Sequence, residues 1–175
     1  MTVVFDSGPL IRIAKHQLLD YCITKFGGLL IPTDVVMEVV TIGLRRGFEE
    51  AKTVRTAVSR KGIKVQKAPE RLLKEVTKAE SRLGLKLGKG EKGAIALALL
   101  KRTELLTDDQ DAFIVARALR ITARGVLYIT LLALRNKRLT KEEAYLLMEK
   151  LIDQGMWLAP TIVQNFNKAV RRDPI

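Results

Sequence analysis

The chain has 175 residues, 47% of them hydrophobic and 29% charged, a balance that excludes a disordered chain and favours one compact domain. An excess of 31 Lys and Arg over 19 Asp and Glu gives a net charge of +12, which favours a polyanionic partner such as nucleic acid. One cysteine and one histidine exclude an internal disulfide and disfavour mechanisms built on histidine pairs or triads.

Short apolar runs alternate with amphipathic or Ala- and Leu-rich stretches along most of the chain. In chain order the sequence predicts a strand over 2–5, helices from Pro9 and over 18–25, a strand over 29–31, and helices from Pro32 and over 49–60. A strand over 63–65 is followed by helices over 69–83 and 91–102, a strand over 104–107, a helix over 112–119 and a strand over 121–123. The rest of the chain is predicted to form helices over 126–135 and from Thr140 toward Asp153, and a last strand over 156–158.

This alternation of strand and helix predicts an α/β fold. We expect a three-layer α/β/α sandwich around a mostly parallel sheet of about five strands, because parallel strands need helical crossovers that cover both faces. The expected organisation is a single domain over 1–175, with a core over about 2–134 and a helical C-terminal extension over about 135–175. No apolar run is long enough to span a membrane and no secretion signal opens the chain, so a cytoplasmic protein is expected.

Four acidic residues lie where this topology brings strand ends and helix starts together. Asp6 and Asp109 follow predicted strands, Glu38 lies early in the helix after the second strand, and Glu91 opens a later helix. Ligands of open parallel sheets bind outside the carboxyl ends of the strands, so the four carboxylates converge if the strands before Asp6 and Asp109 are neighbours. Converging carboxylates raise one another's pKa unless a cation neutralises them, and Mg²⁺ or Mn²⁺, one or two per site, is the cation that best suits oxygen ligands.

Each acid also has a purely structural interpretation. Asp6 can cap the helix that follows it, and Glu38 can pair with a cation at the edge of its helix. Glu91 can favour the helix macrodipole, as can the acids that open the helix after the fourth strand. Those last acids are Asp108, Asp109 and Asp111.

Four segments together resemble the PIN-domain nucleases, in particular the prokaryotic, VapC-like branch. They are "VVFDSGPLI", "IPTDVVMEVV", "GKGEKGAIALAL" and "LLTDDQDAFIVARAL", in the order and near the spacings of that family. The resemblance covers residues 2 to about 134, and the later stretches "GVLYITLLALRNKRLT" and "EKLIDQGMWLAP" also look like the C-terminal end of that branch.

The resemblance implies an acidic quartet, Asp6, Glu38, Glu91 and Asp109, that binds one or two divalent metal ions. It implies that Ser7 and Thr107 are polar neighbours of the ligands, with Asp111 as an accessory ligand. Asp108 competes with Asp109 for the fourth position, and Asp109 fits the T-x-D-x-D motif in register. The implied activity is endoribonuclease cleavage, as an RNA-processing nuclease or as a toxin neutralised by a small inhibitor (antitoxin) protein, and many family members form homodimers.

Residues Gly88 to Gly93 match G-x-G-x-x-G, which leaves a dinucleotide-binding oxidoreductase as an alternative. Asp108 lies at the spacing expected of a ribose-binding acid, but the motif follows a predicted helix and places Glu91 where a pyrophosphate must lie. A non-catalytic basic RNA-binding protein is the other alternative, and DNA is not excluded as a substrate. Lys89 and Lys92 are candidates for contact with the substrate backbone, beside a merely solvated role.

Overall fold

The computed structural model describes residues 2–172. It divides into two compact units, one ending at Gly125 and one beginning at Val126, which we describe separately. The expectation of a single domain with a core ending near residue 134 stays a prediction.

The first unit contains a five-stranded sheet whose strands all run parallel, in the order β3-β2-β1-β4-β5. The predicted α/β/α fold with a mostly parallel sheet is thus confirmed. The strands are β1 (Val3–Phe5), β2 (Leu29–Pro32), β3 (Ile63–Gln66), β4 (Leu105–Leu106) and β5 (Ala123–Arg124). Every residue of β1, β2 and β4 is buried, which explains their continuous apolar runs, since strands covered on both faces have no polar side.

Helices connect the strands of the first unit and continue into the second. Those of the first unit are α1 (Ser7–Lys15), α2 (Leu19–Phe26), α3 (Thr33–Val36), α4 (Gly43–Arg45), α5 (Glu49–Ser59), α6 (Glu70–Leu83), α7 (Lys89–Lys101) and α8 (Gln110–Ala118). A π-helical segment, Met37–Ile42, joins α3 to α4 without a break in helical backbone.

The two faces of the sheet pack against different helices. Val4 and Leu30, partners in the β1–β2 register, belong to one buried cluster with residues of α6, α7 and α8. Phe5 points the other way, as alternation along a strand requires, and its ring meets Phe26 of α2 edge to face at 6.4 Å. Helix α7 is buried continuously from Gly93 to Ala98, and its small side chains let it lie close to the sheet.

Most boundaries shift by one or two residues from those that the sequence predicts, and three of the differences have a clear structural basis. Helix α1 begins at Ser7 rather than Pro9, because the Asp6 carboxylate caps it by accepting the Ser7 N–H. Pro32 is the last residue of β2 rather than the first of a helix. The expected strand over 121–123 is shifted to Ala123–Arg124, where it pairs with β4.

The second unit consists of α9 (Val126–Arg135), α10 (Lys141–Asp153) and α11 (Pro160–Arg172), so the expected helical C-terminal part is confirmed. The capping box at the start of α10 is also confirmed, since Thr140 Oγ1 accepts the Glu143 N–H at 3.1 Å and Glu143 Oε2 accepts the Thr140 N–H at 2.7 Å. The strand expected over 156–158 is wrong, because these residues form a loop between α10 and α11. Among residues 2–172, no helix has the length and apolar character needed to cross a membrane.

Candidate active site

The strand order reverses at β1, which places Asp6 at the switch point of the sheet. β1 pairs with β2 on one side and with β4 on the other, and the chain leaves β1 at Asp6 and β4 just before Asp109. The sequence predicts that these two acids meet only if the strands before them are neighbours. That condition holds, and the backbone N–H of Asp6 itself bonds to the carbonyl oxygen of Leu106 at 2.9 Å.

Asp6 is a buried carboxylate, only 3% exposed. Its Oδ1 accepts the Ser7 N–H at 2.7 Å, and its Oδ2 accepts the Thr107 hydroxyl at 3.1 Å. Burial raises the pKa of Asp6 to about 6; the two hydrogen bonds oppose the shift, and the charges of Glu38 and Asp109 add to it. Asp6 is therefore a group that gains from a nearby cation when it ionises.

Thr107 links Asp6 to Asp109 through hydrogen bonds. Its buried hydroxyl donates to Asp6 and accepts the Asp109 N–H at 3.2 Å. Asp109 is the N-cap of α8, with its Oδ1 accepting the Ala112 N–H at 2.7 Å. The two predicted polar neighbours thus contact Asp6 in different ways, since Ser7 contributes its backbone and Thr107 its side chain.

The three acids after β4 differ in the groups that lie near their side chains. Asp108 Oδ2 lies 3.0 Å from the Arg12 guanidinium of α1, and its side chain is 5% exposed. Asp109 is the acid of the three whose charge raises the pKa of both Asp6 and Glu91. Asp111 lies half-buried in the first turn of α8. The ion pair with Arg12 favours Asp109 over Asp108 as the fourth ligand. That assignment stays a prediction.

Glu38 and Asp6 border the same glycine of α7. A Cβ atom placed on Gly90 would lie 3.4 Å from Glu38 Oε2 and from Val35 Cγ2, and 3.9 Å from Asp6 Oδ1. Glu38 is exposed and lies in the π-helical segment, a distortion that is frequent at functional sites. Its charge contributes to the raised pKa of both Asp6 and Glu91, so its carboxylate lies near theirs.

Glu91 occupies the first turn of α7. Its Oε2 accepts the Gly88 N–H at 2.6 Å, a capping contact that adds to the macrodipole interaction expected from the sequence. Burial raises the pKa of Glu91; the Gly88 hydrogen bond opposes the shift, while the charges of Asp109, Asp6 and Glu38 add to it. The charges of Glu38 and Asp109 therefore lie close enough to raise the pKa of both Asp6 and Glu91.

One glycine of the G-x-G-x-x-G match is needed for helix packing. A Cβ atom on Gly93 would lie 2.9 Å from Pro32 Cβ, so the absence of a side chain there lets α7 lie close to the end of β2. Gly88 is the N-cap of α7, and a Cβ atom on Gly90 would make ordinary contacts at 3.4 Å. The motif follows α6, whereas a dinucleotide fingerprint follows a strand. This placement argues against the oxidoreductase alternative.

The two lysines beside Glu91 differ in their surroundings. Lys89 is exposed, and Lys92 Nζ lies 2.7 Å from Glu80 Oε2. Glu80 is buried, and its Oε1 accepts the Leu87 N–H at 2.6 Å, so this one carboxylate holds the chain on both sides of Glu91. These contacts lower the pKa of Glu80, the Leu87 hydrogen bond having the largest effect and Lys92 following.

Sequence reasoning missed Glu80 and the Arg12–Asp108 ion pair. A signal for Glu80 exists, because it follows Leu72 and Val76 at four-residue spacing on the buried side of α6. No pattern in the sequence links Arg12 to Asp108, which lies 96 positions away.

The oxygen donors suit a hard divalent cation, which binds through one or two carboxylates and water. As the side chains stand, no three acidic, histidine or cysteine side chains within residues 2–172 are arranged to hold one ion. The geometry explains this, because one oxygen of Glu91 and one of Asp109 accept backbone N–H groups at helix starts. The donor set and the raised pKa of Asp6 fit a divalent cation at this edge of the sheet.

These features define an α/β domain with an acidic cluster at the switch point of a parallel sheet. A family model described as PIN domain matches residues 2–172, and the chain belongs to this family, whose members are nucleases. No match was found among curated proteins.

Solved structures show the same fold. VapBC2 from Rickettsia felis, bound to a promoter DNA fragment, matches with a TM-score of 0.54 at 12% identity, over 71% of this chain and 98% of that one. VapBC-1 from nontypeable Haemophilus influenzae matches with a TM-score of 0.54 at 13% identity, over 72% and 98%. PAE2754 from Pyrobaculum aerophilum matches with a TM-score of 0.51 at 19% identity, over 74% and 95%. At these identities the likeness concerns the fold alone.

Proposed function

We propose that the chain is a divalent-metal-dependent endoribonuclease in which Asp6, Glu38, Glu91 and Asp109 hold one or two Mg²⁺ or Mn²⁺ ions. The observation that carries the proposal is Asp6, a buried carboxylate with a pKa of about 6 at the switch point of the sheet, surrounded by the charges of other acids. A helix cap alone does not require an acid in that position, because burial penalises the charge and a neutral side chain such as Asn can accept the same N–H.

The residues have distinct roles in this proposal. Asp6 is the central ligand, held in orientation by the Thr107 hydroxyl and the Ser7 N–H. Glu91 and Asp109 each use one oxygen for a helix cap and can offer the other to an ion. When bound, the metal supplies an activated water for attack on phosphorus and stabilises the leaving oxygen. Lys89, exposed next to the site, is a candidate contact for a substrate phosphate.

The net charge of +12 favours a polyanionic substrate around this acidic pocket, because Lys and Arg neutralise backbone phosphates. RNA is the substrate that the family resemblance implies. Catalysis is favoured over RNA binding alone because a binding module has no use for four mutually repelling carboxylates at one sheet edge, where they oppose a phosphate backbone.

A cytoplasmic toxin of a toxin–antitoxin pair is the biological role that we propose first, with a small inhibitor protein as partner and a homodimer as the active form. Two of the similar structures are described as VapBC complexes. An RNA-processing nuclease without an inhibitor is the second role, and a small gene beside this one would decide for the first.

The experiment is cleavage of labelled single-stranded RNA, with single-stranded DNA in parallel, in Mg²⁺, in Mn²⁺ and in EDTA. We expect metal-dependent RNA cleavage that Asp6→Asn, Glu38→Gln, Glu91→Gln and Asp109→Asn each abolish. Asp20→Asn and Glu75→Gln remove the same charge from exposed helix positions and are the matched controls. Undiminished cleavage in EDTA, or equal activity of wild type and Asp6→Asn, contradicts the proposal. If the protein cleaves only DNA, then DNA takes the place of RNA as the proposed substrate.

A further inference from the structure

A basic cleft lies along the edge strand β3 and reaches Thr2 and Thr103 at the amino ends of β1 and β4, opposite the strand ends that carry the acids. It has a volume of about 840 Å³, and Leu30 forms part of its apolar floor. Four cationic side chains line it, Lys61, Lys64, Lys101 and Arg102. No Asp or Glu lines this cleft, and none of the four cations forms an ion pair within the part of the chain that the structure describes. We call it the amino-edge cleft.

Helix α7 connects the amino-edge cleft to the acidic site. Glu91 lies in its first turn and Lys101 is its last residue, which corresponds to about 15 Å along the helix axis at 1.5 Å per residue. The path along β1 agrees, because Thr2 lines the cleft and Asp6 follows the same strand, about 13 Å away at roughly 3.3 Å per residue. Both separations run through the interior of the unit, because β1 is buried, so one ligand that reaches both places must pass over the surface. A polymer of phosphates can do this, whereas a single small anion cannot.

Helix ends explain some of these cations but not all of them. Lys101 and Arg102 stand at the C-terminal end of α7, and Lys61 follows the end of α5, where the helix macrodipole favours positive charge. Lys64 lies within β3, opposite Leu30 in the parallel register, and no helix end accounts for it. Its charge completes a concave cationic surface over an apolar floor.

We propose that the amino-edge cleft binds the phosphodiester backbone of single-stranded RNA at phosphates remote from the cleaved bond. The identity of the polyanion rests on the proposed function; the binding surface itself does not. Lysine and arginine on a concave surface recognise backbone charge without reading base sequence. The cleft therefore contributes affinity and dependence on substrate length, and leaves the chemistry to the carboxylates.

The test measures RNA binding without cleavage. Fluorescence anisotropy on an Asp6→Asn background in EDTA compares labelled RNAs of about 4 and about 16 nucleotides, the range of site sizes known for single-strand grooves. We expect Lys64→Ala with Lys101→Ala to lower the slope of log K against log salt by about 1.4 and to weaken binding of the longer RNA by roughly 25-fold at 0.1 M salt, because each lost phosphate contact contributes about 0.7 to the slope.

Two controls make the result specific. Lys74→Ala with Lys78→Ala removes the same charge from exposed positions on α6 and should change the affinity less than about 2-fold. Lys64→Arg with Lys101→Arg keeps the charge and should retain binding, and thermal melts of all variants report folding. The proposal is overturned if both alanine pairs weaken binding equally or if neither does.

Two other anionic probes distinguish RNA from other possible occupants of the amino-edge cleft. Inorganic phosphate, added at constant ionic strength, should compete poorly with the long RNA, and effective competition by it marks a small-anion site and overturns the proposal. Polyglutamate of equal charge should bind more weakly than RNA, and equal binding marks an acidic protein partner instead. RNA that binds the cleft without any metal-dependent cleavage supports this proposal while refuting the proposed nuclease, so the two failures are distinguishable.

Discussion

Replacing Asp6 by Asn should make the metal-free protein more stable at neutral pH. Burial raises the pKa of Asp6 from 3.8 to about 6, and each pKa unit corresponds to about 1.4 kcal/mol. Ionising Asp6 in the folded protein therefore costs about 3 kcal/mol. Asn keeps an oxygen that can accept the Ser7 N–H but carries no charge, so Asp6→Asn removes this cost.

The sign of the pH dependence follows from the same shift. Between pH 3.8 and about 6 the unfolded chain has released the Asp6 proton and the folded chain has retained it, so the stability of the wild type falls as the pH rises through this window. Below it the variant and the wild type should be equally stable as far as Asp6 is concerned. Above it the variant should melt roughly 6 to 12 °C higher, since about 1 kcal/mol shifts the melting temperature of a chain of this size by about 2 to 4 °C.

The assay is thermal unfolding followed by circular dichroism in EDTA from pH 4 to pH 8, with Asp20→Asn as the control for charge alone. Added Mn²⁺ should then raise the melting temperature of the wild type and leave that of Asp6→Asn unchanged, because only the folded site binds the ion. If Asp6→Asn melts at a lower temperature than the wild type at pH 8, the reasoning is refuted. The hydrogen bonds of Asp6 would then stabilise the fold by more than its buried charge destabilises it.

Further predictions concern the residues around the start of α7. Gly93→Ala should destabilise the protein by about 1 to 3 kcal/mol in chemical denaturation, because its Cβ would meet Pro32 Cβ at 2.9 Å; Gly90→Ala, on the same helix with ordinary contacts at 3.4 Å, is the control, and equal losses would contradict the packing argument. Gly90→Ala should also lower the rate of RNA cleavage while changing the melting temperature little, since its Cβ would occupy space beside the carboxylates, 3.4 Å from Glu38 Oε2 and 3.9 Å from Asp6 Oδ1; unchanged kinetics would contradict this. Glu80→Gln should destabilise the protein at pH 7 and lose this effect as the pH falls below about 4.5, because the lowered pKa of Glu80 contributes stability only while the carboxylate is ionised. A loss that persists unchanged at low pH would instead indicate a packing effect.

The convergence of the four acids could be predicted because it depends on local features. A buried strand ends where polar residues begin, and parallel strands present their carboxyl ends at one edge. The sequence could not establish that β1 and β4 are neighbours, since strand order depends on which helices cross which face. The sequence therefore predicts the meeting of Asp6 with Asp109 only conditionally, and the pairing of Phe5 with Leu106 fulfils the condition.

Other details depend on contacts that leave no local pattern. The π-helical segment that carries Glu38 adds residues to a turn without a glycine or proline to mark it. Residues 156–158 are apolar enough for a strand, yet a strand needs a hydrogen-bonding partner, and the described part of the second unit consists of helices and loops. Trp157 accordingly lies 76% exposed in a loop.

The packing of α7 and the chemistry of the site are aspects of one arrangement. Gly93 lets the start of α7 lie against Pro32, and Gly90 lies beside Val35 and Glu38; this packing places Glu91 among the other acids. Apolar packing therefore keeps the acids near one another without a cation. In the proposed function, a bound divalent ion would offset their repulsion and add stability to the folded chain.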